Sequence, residues 1–104
     1  MRMFNVSNDG TKVTCVPERM HAPRGYEEIA ICLDKKSERR YELIVSIGED
    51  PDNALTFQPL TSSMVVLQNN NCSPSKAKFN IGLKPLPRSK ARALAPLDPH
   101  IVNE

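Results

Sequence analysis

Six basic residues, Lys76, Lys78, Lys84, Arg88, Lys90 and Arg92, follow one another in the last third of the chain with no acidic residue among them. Cations in such a run can meet phosphates or the carboxylates of a protein partner. Strand alternation would place Lys76, Lys78 and Lys84 on one face. Readers of nucleic acid usually add aromatic rings for base stacking, and this chain has two tyrosines, three phenylalanines and no tryptophan. Lysines on an outer or edge strand also discourage edge-to-edge pairing. That plainer role takes precedence on sequence grounds.

Other chemistry-bearing residues are scattered. His21 and His100 lie near prolines, and no G-x-S-x-G or H-E-x-x-H motif accompanies them. Gly10, Gly25, Gly48 and Gly82 are isolated, so no glycine-rich phosphate loop can form. Cys15, Cys32 and Cys72 form no C-x-x-C pair of the kind zinc sites use. Cys15 and Cys32 read as small buried strand residues, and Cys72 as an exposed thiol. A Cys15–Cys32 bridge requires facing strands and an export route. Glu49, Asp50, Asp52 and Asn53 crowd one turn without calcium-loop spacing. The expectation is a chain that is not an enzyme and holds no cofactor and no metal.

The segment Leu97-Asp98-Pro99-His100-Ile101-Val102-Asn103-Glu104 carries a D-P-x-I-x-N-E pattern, with Asp98, Pro99, Ile101, Asn103 and Glu104 as its members. This ending resembles a small bacterial family called DP-EP. The resemblance implies a two-sheet β-sandwich of about this length and a bacterial source, and it brings no particular chemistry. Apart from any family, Pro99 fixes its own φ and holds Asp98 extended, which sets the angle at which Ile101 enters the core edge. An exposed tail captured by a partner is the alternative role.

The elements that must position these residues are strands. Nine prolines leave little room for helices. Strands are expected at 1–6, 11–16, 26–33, 41–48, at Leu55 and Phe57, at 64–67 and at 76–84, with a possible last one at Ile101 and Val102. Tyr41, Leu43, Val45 and Ile47 alternate with less apolar residues, and Ala77, Phe79, Ile81 and Leu83 do the same, as a two-residue period requires. The strand 26–33 is apolar on both faces in its second half, as a central strand would be. Residues 17–25, 34–40, 49–53 and 69–75 read as loops. Arg88–Leu94 fits one or two helical turns or none.

Strands spaced by about ten residues predict one all-β domain over 1–104, a two-sheet antiparallel immunoglobulin-like β-sandwich of about seven to eight strands. A net charge of +2 is too small to imply a polyanion partner by itself. The N-terminus has no apolar signal core and no window could span a membrane, so the cytoplasm is the expected compartment. The expected function is a non-catalytic binding or structural module acting through protein contacts or self-association. The alternative is a binder of nucleic acid or another anionic ligand through the basic 76–92 region.

Overall fold

Alternation of apolar and polar side chains builds nine strands around one interior. The computed structural model describes residues 1–104. The strands are β1 (Met3–Asn8), β2 (Val13–Val16), β3 (Arg19–Ala22), β4 (Gly25–Leu33), β5 (Tyr41–Glu49), β6 (Leu55–Thr61), β7 (Met64–Asn71), β8 (Ser75–Pro85) and β9 (His100–Asn103). A single helical turn, α1 (Lys35–Glu38), lies between β4 and β5. One sheet runs β2-β1-β4-β7-β6 and the other β3-β9-β8-β5.

The sheets face each other across a core that includes Phe4, Ile29, Ile31, Leu67, Phe79, Ile81 and Ile101, all inaccessible to water. Phe79 sits at its centre. Its ring meets Phe4 edge-on at 5.2 Å and lies 5.8 Å from Phe57. Such contacts add about 0.5–1.5 kcal/mol per pair to the area they bury. On β8, Ala77, Phe79, Ile81 and Leu83 all point inward, as their spacing predicts. On β4, Ile29 and Ile31 face the core and the small outward Ala30 is also buried, flanked by β1 and β7 in the middle of its sheet.

Several expectations need correction. The sheets are mixed: β1 pairs with β4 in parallel, and so does β3 with β9. β2 runs opposite to β1, the chain then crosses to the other sheet as β3, and β4 returns to the first sheet alongside β1 in the same direction. The expected loop 17–25 contains β3, in which Met20 and Ala22 face inward and Arg19 and His21 outward. The expected loop 34–40 contains α1, capped by the Asp34 carboxylate, which accepts from the Ser37 N–H at 3.0 Å. Asn69–Asn71 continue β7 and form no loop. Pro59 does not end β6, an edge strand where a missing N–H is tolerated. Ile47, expected to face in, is 49% exposed and lies at a bulge between Ile47 and Glu49 on an edge strand.

Residues 86–99 hold no helix. They close one side of the sandwich, where Ala95 bridges Lys12 and Leu97 bridges Ile81. Pro96 and Pro99 keep this segment from becoming a regular strand, since proline offers no N–H to a ladder.

Candidate anion-binding notch

Three separate segments meet at one end of the sandwich: the turn after β1, the α1 turn after β4, and the segment after β8. Each is fixed by its own polar residues. The Asp9 carboxylate accepts from the Thr11 N–H, the Thr11 hydroxyl and the Lys12 N–H at 2.8–2.9 Å. The backbone bond from Thr11, followed by those from Lys12 and the Thr11 hydroxyl, holds its pKa down to about 2. The Asp34 carboxylate is also held below its ordinary value: burial pushes it up, and hydrogen bonds from Ser37 and Ser7 outweigh that. Gly10 takes φ of +94°, a conformation that favours glycine.

Cross-links join the three segments. The Asn8 amide donates to the Ser37 hydroxyl at 2.9 Å, and the Tyr41 hydroxyl donates to the Arg92 carbonyl at 2.8 Å. The Leu86 N–H donates to the Arg40 carbonyl at 2.8 Å. Between them lies a polar hollow of about 580 Å³. Lys36, Arg40, Lys90 and Arg92 line it, and Asp9 is its one carboxylate. None of the four cations is in an ion pair; the pairs in the molecule are Arg2–Glu27 and His21–Glu104. Lys90 is held at φ of +54° beside a turn in which the Ser89 hydroxyl donates to the Leu86 carbonyl. A cluster of unpaired cations around one committed carboxylate attracts anions.

The basic run is therefore divided. Lys90 and Arg92 enter the notch, and Arg88 is exposed on the turn before them. Lys84 lies near the C-terminal end of β8 opposite Glu42. Lys76 and Lys78 are far off on the outer face of the β3-β9-β8-β5 sheet, where register places Arg19, His100 and Lys78 side by side on three strands. Lys36, Arg40 and Arg19 belong to these two clusters and were passed over in the sequence, and His100, noted there only as a histidine near proline, joins the second cluster. The Asp34-Lys35-Lys36-Ser37 cap pattern is a signal that would have found α1 and its cations.

The C-terminal pattern is built into the fold. Ile101 is core, Pro99 is buried with its carbonyl accepting from the Phe79 N–H, and Asp98 is exposed. Asn103 and Asn69, both buried, exchange amide hydrogen bonds at 2.8 and 3.3 Å. The Glu104 N–H donates to the Ala22 carbonyl, and its carboxylate meets His21 Nδ1 at 2.9 Å. The buried Asn71 amide donates to the carbonyls of Ala22, Pro23 and Glu104.

The cysteines are all unpaired. Cys15 faces the core and Cys32, beside the outward Asn5, faces away from it, so a bridge between them is geometrically closed. Burial, with Glu18 adding to it, pushes the Cys15 thiol up to about 12. The acidic turn satisfies itself: Asp50 accepts from the N–H groups of Ala54 and Leu55, and Asp52 accepts from the Ser73 hydroxyl. No cluster of three or more His, Cys, Asp or Glu is arranged to hold a metal ion. No helix is long and apolar enough to cross a membrane.

No family model matches the chain, and no curated protein does. Among solved structures the chain is similar to the crystal structure of the cysteine protease inhibitor EhICP2 from Entamoeba histolytica. The TM-score is 0.50 at 14% identity, over 98% of this chain and 95% of that chain. This likeness concerns the fold.

Proposed function

We propose that the protein is a non-catalytic binding module that takes an acidic segment of a partner protein at the notch. The observation that carries this reading is the set of four unpaired cations, Lys36, Arg40, Lys90 and Arg92, around a hollow whose one carboxylate is already committed to its own turn. Two arginines supply planar forks suited to carboxylates. The notch offers no histidine or cysteine for catalysis, and its one aromatic residue, Tyr41, is buried with its hydroxyl engaged. That favours an acidic peptide over a stacked base.

The test is fluorescence polarisation with a labelled hexaglutamate peptide in 20 mM and 150 mM salt. Binding is expected at low salt, weaker at the higher one, and about tenfold weaker in the double variant R40E/R92E, which corresponds to about 1.4 kcal/mol. No binding at low salt, or equal binding by the variant, would sink the reading.

The shared fold favours a second reading, in which the module inhibits a cysteine protease by contact. Incubation with papain before a substrate assay decides it. Progress curves unchanged by excess protein would dispose of the idea.

A further inference from the structure

A second cationic surface lies on the outer face of the β3-β9-β8-β5 sheet, away from the notch. Register sets Arg19 opposite His100 and His100 opposite Lys78, while Lys76 stands beside Val102 and, beyond it, His21. Neighbouring strands are about 4.8 Å apart, and residues two apart on a strand are about 6.8 Å apart. Arg19, Lys76, Lys78 and His100 therefore form one flat patch on three strands. Arg19, Lys76 and Lys78 are in no ion pair. The row ends at Glu49, opposite Lys78 on β5.

The patch has an internal reporter. His100 titrates below its ordinary value because burial disfavours its charge and because Lys76, Lys78 and Arg19 repel it, against a smaller pull from Asp98. The repulsion of His100 by three cations from two flanking strands shows a positive field over this face. His21, on the same face, is turned to Glu104.

We propose that this face binds the phosphate backbone of a single-stranded nucleic acid without reading its bases. Charge complementarity selects the occupant: a flat row of cations at strand spacing suits a linear chain of phosphates. The four strands that form the face carry no exposed Phe, Tyr or Trp, since Tyr41 and Phe79 are both buried, so beyond the two imidazoles no stacking platform is offered.

The probe is a fluorescein-labelled 20-nucleotide oligothymidylate, titrated by polarisation from 20 to 200 mM salt at pH 7.5. Single strands lose about 0.7 in log affinity per decade of salt for each phosphate neutralised, so three cations predict a slope near −2. K76E/K78E, with circular dichroism to establish folding, is expected to abolish binding. R19E, on a different strand, is expected to weaken it, and R40E/R92E to leave it within about twofold. NMR titration of His100 is expected to move up at saturating oligonucleotide, because bound phosphates neutralise the cations that depress it. No binding at 20 mM salt, an unmoved His100, loss through R40E/R92E in place of K76E/K78E, or capture of phosphatidylserine vesicles with none of the oligonucleotide would each overturn the proposal.

Discussion

Lys90 shows how a single residue ties backbone conformation to the notch. Its φ of +54° costs an ordinary L-residue roughly 1–2 kcal/mol. The turn holds it there: Ser89 bonds to Leu86 and Ala91, and the Tyr41 hydroxyl fixes the Arg92 carbonyl. A residue kept in a costly conformation beside a hollow is a residue to test for function. Lys90→Gly separates the two roles. Glycine adopts positive φ freely, although its looser unfolded chain returns about 0.5–1 kcal/mol of that gain. Urea denaturation is expected to show stability equal to the parent or up to about 1 kcal/mol higher. Hexaglutamate affinity is expected to fall by about threefold, the worth of one exposed charge contact. A clear loss of stability would mean that Lys90 is held by its own contacts and carries no strain. Nothing in the sequence marks this lysine among its neighbours, because the positive φ is imposed by the surrounding turn. Asn69 and Asn71 were illegible for a related reason. Three consecutive asparagines read as a turn by composition, yet Asn69 and Asn71 occupy inward positions in the same alternation as Leu67, and their amides find partners only in the folded chain.

At the scale of elements, the short strands depend on one another in a definite order. β3 has one neighbour, β9, and β9 is held to β8 through four paired positions and to the core through Ile101. Removing the Ile101 side chain to the β-carbon leaves a cavity at a fully buried site, which typically costs about 2–5 kcal/mol. I101A is expected to lose that much in denaturant unfolding. Hydrogen exchange should then show amides of β3 and β9 opening together, while those of β5 and β8 keep their relative protection. If β3 remained protected while β9 exchanged, β3 would be held by its side-chain packing and the proposed dependence would be wrong. The long strands β5 and β8 were readable because each carries several periods of alternation, and β4 because its second half is apolar on both faces. β3 has the same pattern in Met20 and Ala22, but a strand of four residues set between Pro17 and Pro23 is too short to stand out from a loop. Parallel pairing was invisible for a different cause: alternation gives the face of each residue and says nothing of which strand becomes its neighbour.

For the molecule as a whole, the relevant feature is the separation of its charges. The chain spans 44 Å in its longest direction. Lys76 and Lys84 alone are eight positions apart on β8, about 27 Å at strand rise, and the notch lies past Lys84. Read as a linear sequence, residues 76–92 are one basic run; folded, they serve two surfaces, because β8 carries its ends to opposite parts of the sandwich. The net charge of +2 conceals both, since carboxylates such as Glu27 and Glu28, on β4 of the other sheet, offset them in the total. Screening at physiological salt falls off over about 8 Å, so the two surfaces should act without sensing each other. Sites this far apart with no shared partner usually add within about 0.3–0.5 kcal/mol. A double-variant cycle of R40E/R92E with K76E/K78E, read by both hexaglutamate and oligothymidylate polarisation in 150 mM salt, is therefore expected to show each pair of reversals acting on its own probe. The coupling for either probe should stay within that margin. A coupling above about 1 kcal/mol would mean that one anionic chain reaches across both clusters, and the basic run would then be a single site despite the distance between its ends.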